Sequence, residues 1–382
     1  MQDKSEISYL CIMAKENVYL ASKPRYEILD GLRGVAALMV IIFHCFETYL
    51  PVFGRQIVNH GYLAVDFFFV LSGFVIGYAY DDRWDKMTTW GFFKRRLTRL
   101  HPMVIAGTLI GAALFFFAGA AFPKTLETSG WKFVLCLVMG LVMIPCGPRL
   151  DIRGWQEMNS FNGPNWSLTF EYIGNILYAL MLRRLPTKWL AVISFAAGGM
   201  LATLTLHDGA LGAGWTTEDS GLWTGLLRML FPYSAGMLMA RLFKPVDTRH
   251  TFALCSLAII ACASLPLLFG ECASWASGLY DAACVIIIFP LIVWLGASAR
   301  TLKTSTRHVC RRLGDLSYPL YAVHYPLMYL FYAHIGFRGD FVPITHLHDV
   351  WPATLALPVA SILLAWLLLR FWDAPLRRRL TR

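Results

Sequence analysis

The sequence predicts an all-α membrane protein, a bundle of about ten transmembrane helices with one further segment that enters the bundle without crossing it. Composition is the first reason. Of the 382 residues, 57% are hydrophobic and 15% are charged, and the mean hydropathy of +0.53 is too high for a soluble chain of this length. The second reason is that ten apolar runs are long enough, or nearly so, to cross a bilayer.

The order of these runs also predicts which side each loop faces. The runs lie at 35–53, 61–80, 101–121, 166–182, 189–206, 223–241, 251–270, 276–297, 316–336 and 351–371. Clusters of Lys and Arg, which collect on the cytoplasmic side of membrane proteins, fall at 94–99, 183–188, 241–249, 300–312 and 377–382. Ten crossings place every cluster and both termini in the cytoplasm, as expected for a protein of the plasma (inner) membrane. The net charge of +10 therefore indicates topology and not nucleic-acid binding.

An eleventh apolar run at 131–145 would break this order if it crossed. At 15 residues it is shorter than a typical span, and segments of this length are often re-entrant or interfacial. We expect it to enter from the outer side and return, which leaves the loop 146–165 outside.

The remaining sequence indicates a single domain. Residues 1–25 lack the apolar core of a signal peptide and are expected to form a cytoplasmic extension. Residues 26–378 are expected to form one transmembrane domain, and 379–382 a basic cytoplasmic tail. The nine cysteines include no Cys-x-x-Cys pair and fall mostly in apolar runs, so we expect buried hydrophobic residues and neither disulfides nor a zinc site.

His44 is an ionisable residue within the first apolar run. It lies eleven residues after Arg33, which is about 16 Å along a helix and well inside hydrocarbon. Ionisable residues at that depth are costly and usually functional, although a neutral imidazole bonded across a helix interface is an equally simple explanation. Asp66 and Glu171, on two other runs, are expected at a similar depth. Three coupled groups favour a site, because a carboxylate makes the imidazole a better base.

Two further groups of polar residues stand out. Arg96 and Arg99, at i and i+3, belong with Arg33 to the cytoplasmic edge, where guanidinium groups either anchor the topology or bind phosphate. A polar stripe along the ninth run has helical spacing, and packing against neighbouring helices and lining of a ligand site explain it equally well. The stripe consists of Ser317, Tyr318, Tyr321 and His324.

Five motifs, taken together and in this order, resemble those of the acyltransferase-3 family of integral membrane acyltransferases. They are Arg33-x10-His44, Asp66-Phe-Phe-Phe-Val-Leu-Ser-Gly-Phe74, Arg96-x-x-Arg99, Asn165-Trp166-Ser167-Leu168-x-x-Glu171 and Ser317-Tyr318-x-x-Tyr321-x-x-His324-x-Pro326. The resemblance runs from about Tyr26 to Arg378. It departs from the family in the terminal motif, where Asp373 replaces the usual Glu, and in lacking the esterase-like domain that is fused to some relatives.

The resemblance implies a membrane O-acyltransferase. Such enzymes move an acetyl or other short acyl group from cytoplasmic acyl-CoA to a hydroxyl of a sugar, glycan or glycoconjugate acceptor, here at the outer side. The donor is then acetyl-CoA, no metal is required, and the partners are the acceptor and the lipid bilayer, with no nucleic acid. The alternative from the residues alone is a proton-coupled transporter of a small solute or glycan, although the two halves show no inverted pair of interrupted helices.

The resemblance also implies roles for the singled-out residues. His44 is expected to be catalytic, oriented by Asp66 or, as second choice, Glu171, and whether it acts as a base or forms an acyl-imidazole stays open. We expect a channel that brings the acyl group of the donor from the cytoplasm to His44. The residues expected to bind the coenzyme are Arg33, Arg96 and Arg99, and those expected to bind the acceptor are Trp166, Ser317, Tyr318, Tyr321 and His324.

Overall fold

The computed structural model describes residues 23–47, 58–119, 121–265, 274–299, 303–335 and 347–381. These residues form eleven helices and no strand. In chain order the first seven are α1 (Glu27–Glu47), α2 (Ala64–Tyr80), α3 (Thr89–Ala113), α4 (Gly130–Leu141), α5 (Asn165–Leu180), α6 (Thr187–Asp208) and α7 (Gly221–Leu242). The others are α8 (Thr251–Ser264), α9 (Ser274–Ala283, continued by a π-helical turn at Cys284–Ile288 and by Phe289–Ser298), α10 (Thr304–His334) and α11 (Leu347–Leu368, continued by Leu369–Asp373 and Ala374–Leu380).

The all-α fold class is confirmed. Each of the ten predicted runs falls on one helix, and α4 occupies the extra run. Within the described residues, five helical stretches are both long and apolar enough to cross a membrane, namely Glu27–Glu47, Gly61–Tyr80, Thr187–Asp208, Trp275–Ser298 and Trp351–Leu380. The number of crossings and their direction stay predictions.

The helix ends that are predicted to be cytoplasmic lie together at one end of the bundle, where charged side chains join them. We call this the charged end. Glu27 at the start of α1 binds Arg307 and Arg311 near the start of α10. At the end of α2, Asp81 accepts from Arg241 at the end of α7 with a distance of 2.8 Å. The first contact joins two helix starts, and the second joins two helix ends. This pattern is expected when successive crossings run in opposite directions.

Helix α4 runs antiparallel beside α3 and is shorter than a typical membrane span. Its 12 residues span about 18 Å, against a hydrocarbon core of about 30 Å. Thr108 of α3 lies beside Gly140 near the end of α4, whereas Phe115, beyond the end of α3, packs on Phe133 near the start of α4. Only Cys136 and Gly140 of α4 are buried, and whether the segment re-enters the membrane or lies at its interface stays a prediction.

The loop after α4 is buried within the bundle, and the side of the membrane that it faces stays a prediction. It packs between α3 and α10, where Phe161 and Asn162 approach two glycines of α3 so closely that a Cβ atom at Gly107 or Gly111 would collide with them. The Asn162 amide donates to the carbonyl of Ala322 in α10 at 2.7 Å. Because this buried loop fills the half of the bundle opposite the charged end, α5 begins inside the bundle and not at its surface.

Candidate active site

A cavity of about 450 Å³ opens at the charged end, between α1, α2, α3, α5, α10 and the last turns of α11. The structure brings Arg33, Arg96 and Arg99 together on its wall, although they belong to two different helices. At its inner end the cavity is lined by apolar residues and by the hydroxyl groups of Ser167 and Tyr321. The cavity therefore has a basic outer part and a mostly apolar inner part.

The arginines of the cavity differ in their partners. Arg33 lies 3.3 Å from Asp30, and Arg96 lies 2.6 Å from Glu171. Arg99 has no ion-pair partner among the described residues, although its side chain is exposed to the cavity and interacts with the like charges of Arg33, Arg96 and Arg377. Guanidinium groups that repel one another are stabilised by a multiply charged anion, and their planar forks suit phosphate oxygens.

The chain before α1 crosses the mouth of the cavity. Lys23 donates to Asp82 after α2 at 2.8 Å, and Arg25 donates to Asp315 in α10 at 3.2 Å. The hydrogen bond from the Lys23 ammonium holds the pKa of the Asp82 carboxyl below its usual range. These exposed pairs attach residues 23–26 to both sides of the opening.

Glu171 does not lie near His44. Its carboxylate accepts from Arg96 and, at 3.2 Å, from the hydroxyl of Ser72, so it belongs to the wall of the cavity. The expectation that it shares the depth of His44 is wrong because α5 starts inside the bundle, which shifts Glu171 toward the charged end.

Asp66 does not contact His44 either. Both of its oxygens accept from Arg228 of α7, at 3.1 Å from Nε and 2.5 Å from a terminal nitrogen, and both side chains are at most 1% exposed. The remaining Arg228 donors reach the carbonyls of Ala213 and Tyr62. A carboxylate with two charge-assisted bonds is occupied, so the sequence-based choice of Asp66 as the partner of His44 is wrong.

The carboxylate beside His44 is that of Glu47, one turn further along α1. Nδ1 of His44 lies 2.9 Å from Oε1 of Glu47, which also accepts from the hydroxyl of Tyr332. The His44 ring packs edge-on against Tyr325, with centroids 4.8 Å apart. Sequence reasoning missed Glu47, although i,i+3 spacing on one helix was a usable signal.

His324 is the second imidazole at this place. Its ring centroid lies 5.6 Å from that of His44. Nδ1 donates to the carbonyl of Tyr321 at 2.9 Å, which leaves Nε2 as an acceptor, and this buried nitrogen has no hydrogen-bond partner among the described residues. The structure therefore places His324 beside His44, and its role in binding the acceptor stays a prediction.

The other residues of the expected acceptor site divide into two groups. Ser317, Tyr318 and Tyr321 line the cavity, and the Tyr321 hydroxyl lies 2.7 Å from that of Ser167. Trp166 is not on the cavity wall; it stacks on Arg228 and packs against Phe170.

The cavity does not continue to His44, contrary to the expected channel. It ends at Tyr321, whose ring packs 5.8 Å from His324, and His324 in turn packs against His44. Two side chains of α10 thus separate the cavity from the His44–Glu47 pair.

The described residues contain neither a cluster of possible metal ligands nor a disulfide. These residues include no group of three or more His, Cys, Asp or Glu side chains that could hold a metal ion. The seven described cysteines are buried and free, while Cys11 and Cys272 lie outside the described residues.

Comparison with known proteins identifies the family. The acyltransferase-3 family model, described as an acyltransferase domain, matches residues 26–370. A protein of Rhizobium radiobacter named protein 2 in picA locus is 37% identical over 164 residues, which cover 41% of this chain and 81% of that protein. The acyltransferase MdmB of Streptomyces mycarofaciens is 27% identical over 342 residues, covering 83% of this chain and 82% of MdmB.

A more distant relative is longer than this chain. The O-acetyltransferase OatA of Staphylococcus aureus is 22% identical over 396 aligned positions, which cover 93% of this chain but 58% of OatA. No solved structure matches the chain significantly. The family match spans nearly all of the described bundle and confirms the resemblance seen in the five motifs. The chain therefore belongs to the acyltransferase-3 family and is an integral membrane acyltransferase.

Proposed function

We propose that the chain is an O-acyltransferase that moves an acetyl group from cytoplasmic acetyl-CoA to a hydroxyl of a sugar, glycan or glycoconjugate acceptor at the outer side. The observation that carries this proposal is the basic cavity at the charged end, which ends one side chain away from the His324–His44 pair. The names of MdmB and OatA, an acyltransferase and an O-acetyltransferase, support the same class of reaction. No observation on the described residues favours the transporter alternative.

The donor end of the site is formed by arginines. Arg33, Arg96 and Arg99 bind the phosphate groups of the coenzyme, because they line the cavity and Arg99 has no carboxylate of its own among the described residues. Ser317 and Tyr318 line the passage beside them. The apolar inner part, between Phe68, Leu168 and Tyr321, suits the thioester end of the donor and a short acyl chain.

His44 acts as the base, with Glu47 in the role first expected for Asp66 or Glu171. The Glu47 carboxylate accepts the proton of Nδ1, so Nε2 is unprotonated and free to take the proton of the acceptor hydroxyl. The hydroxyl oxygen attacks the thioester carbonyl, a C–O bond forms and the C–S bond breaks. The departing thiolate then recovers the proton from the imidazolium. A transient acyl-imidazole would use the same Nε2, and either route requires Tyr321 and His324 to move aside.

The test separates binding from transfer. In the His44→Ala variant, transfer of labelled acetyl to endogenous acceptors should fall by about 10²–10⁴-fold, the usual contribution of a general base, with unchanged affinity for acetyl-CoA. Glu47→Gln should also slow transfer, because it keeps the hydrogen bond but removes the charge. His207→Ala, at an exposed histidine near the end of α6, is the matched control.

Two results would contradict the proposal. Substantial residual transfer in His44→Ala would remove His44 from the reaction. Failure of the purified wild-type chain to bind acetyl-CoA, measured by calorimetry in nanodiscs, would remove the donor and with it the proposed reaction.

A further inference from the structure

Three asparagines at the end of the buried loop and the start of α5 are spaced three residues apart, in the sequence Asn159-Ser-Phe-Asn162-Gly-Pro-Asn165. They are 4%, 1% and 1% exposed. The main chain bends through successive turns, in which the amide of Asn162 donates to the carbonyl of Asn159 and that of Asn165 donates to the carbonyl of Asn162. Turns of this i,i+3 type bring residues three apart to the same side of the chain. We call Asn159, Asn162 and Asn165 the asparagine ladder.

The side chains of the ladder are left almost entirely without partners. Of their six amide nitrogen and oxygen atoms, only Nδ2 of Asn162 has a hydrogen-bond partner among the described residues, the carbonyl of Ala322. Buried amides are nearly always paired, because an unpaired polar group in a water-free interior is costly.

Asn175 of α5 shows what a structural asparagine looks like in this bundle. It is 1% exposed, its Nδ2 donates to the carbonyl of Glu171 at 2.8 Å, and its Oδ1 accepts from the hydroxyl of Tyr233 at 3.4 Å. Both polar atoms of Asn175 therefore have a hydrogen-bond partner, whereas five of the six amide atoms of the ladder have none among the described residues. This difference points to a bound group supplied from outside the chain.

The inner end of the ladder meets the inner end of the donor cavity. Ser167, two residues after Asn165, lines the cavity and touches the Tyr321 hydroxyl. The carbonyl of Pro164, next to Asn165, accepts from the same hydroxyl at 3.1 Å. The unpartnered Nε2 of His324, one turn after Tyr321, adds a further buried acceptor nearby. A group held along the ladder would thus lie close to Tyr321, where the donor cavity ends.

We propose that the asparagine ladder is the acceptor subsite and that it binds the hydroxyl groups of a neutral carbohydrate. Each amide offers both donors and acceptors, and each sugar hydroxyl can donate and accept, so a polyhydroxylated ligand satisfies the ladder where an acyl chain or a simple alcohol does not. The proposal rests on the proposed acetyl transfer to a carbohydrate and adds to it the residues that select the acceptor.

The experiment compares acceptors that differ in hydroxyl number. The purified full chain in nanodiscs is given labelled acetyl-CoA with methyl glucoside, methyl galactoside or propan-1-ol. In the wild type, kcat/KM for the better glycoside should exceed that for propan-1-ol, and Asn159→Ala or Asn165→Ala should reduce this preference about tenfold, which corresponds to about one hydrogen bond. The affinity for acetyl-CoA should not change.

Asn175→Ala is the matched control. It removes a buried, fully paired asparagine and should lower thermal stability while keeping the glycoside preference. A second measurement does not depend on folding of the variants: in the wild type, the better methyl glycoside should protect the backbone amides of 157–167 from hydrogen exchange, whereas propan-1-ol should not.

The outcomes separate the ladder from the reaction. An unchanged glycoside preference in the ladder variants, without protection of 157–167, would show that the ladder holds structural water only and would overturn the assignment. Transfer to propan-1-ol but to neither glycoside would overturn the carbohydrate class and leave the donor half of the reaction intact. Absence of acetyl-CoA binding would overturn both.

Discussion

Asp66 and Arg228 form an ion pair that is almost entirely shielded from solvent. Removing one partner of such a pair leaves an uncompensated buried charge and costs about 3–5 kcal/mol, whereas replacing both partners by apolar residues of similar volume is often neutral. Asp66→Asn should therefore lower the thermal stability of the purified protein strongly, and the double variant Asp66→Leu/Arg228→Met should recover most of the loss.

The double variant also decides between a structural and a catalytic Asp66. If Asp66 only supports the fold, the recovered protein should bind acetyl-CoA and transfer the acetyl group. A well-folded double variant that is as inactive as His44→Ala would show that Asp66 takes part in the reaction.

Which individual residues the sequence could reveal depends on where their partners lie. His44 stands out because ionisable groups are rare within apolar runs, and Arg33, Arg96 and Arg99 stand out because they lie just before such runs. Arg228 interrupts the run 223–241 and gave a similar signal, but its pairing with Asp66 joins residues 162 positions apart and required the fold. The partners expected for His44, Asp66 and Glu171, lie on other helices, whereas the observed partner Glu47 lies on α1 itself.

At the scale of helices, the sequence predicts which segments form helices but does not predict how deep in the bundle each helix begins. Each apolar run became a helix because its length and composition fix that outcome in a bilayer. Helix α10, however, begins at Thr304 and not near 316, since its charged first turns pair with Glu27 outside the apolar region. Helix α5 begins inside the bundle because a buried loop before it packs on Gly107 and Gly111. No local sequence pattern predicts this packing.

The last turns of α11 extend the donor site beyond the arginines that sequence reasoning chose. Arg377 lines the cavity, is held by Asp373 at 2.8 Å and interacts with the like charge of Arg99. Trp372 donates to the carbonyl of Pro102 at 2.8 Å and thereby fixes these turns on α3. We therefore assign Arg377 to the same anion site as Arg99.

Arg99→Ala and Arg377→Ala should each weaken acetyl-CoA binding about 10–100-fold, since each removes about 1.5–3 kcal/mol of hydrogen bonding to a charged group. Their kcat at saturating donor should stay close to that of the wild type. Lys94→Ala, at an exposed position outside the cavity wall, is the control. Calorimetric titration of the wild type and the three variants with acetyl-CoA checks this. Equal affinities would show that Arg99 and Arg377 serve only to fix the topology.

At the scale of the whole molecule, the proposed reaction is divided between the two halves of the bundle. The charged end carries the arginine-lined cavity, and the opposite half contains the His44–Glu47 pair and the asparagine ladder. Tyr321 lies between them, with its hydroxyl on Ser167 and its ring beside His324. In the proposed reaction, the acyl group passes Tyr321 and His324 to reach His44, without the coenzyme itself crossing the membrane.

The proposed division of the site requires that the charged end faces the cytoplasm. Whether the number of crossings is even or odd tests this orientation. Ten crossings return the chain to its starting side, whereas an eleventh crossing by α4 would leave the C-terminus outside. Because Lys and Arg stay in the cytoplasm, alkaline phosphatase fused after residue 382, or after Val246 in the loop between α7 and α8, should be inactive. The same enzyme fused after Gly214, between α6 and α7, should be active. A fluorescent protein at the C-terminus should show the inverse result, and active phosphatase there would contradict both the ten-crossing topology and a donor cavity open to cytoplasmic acetyl-CoA.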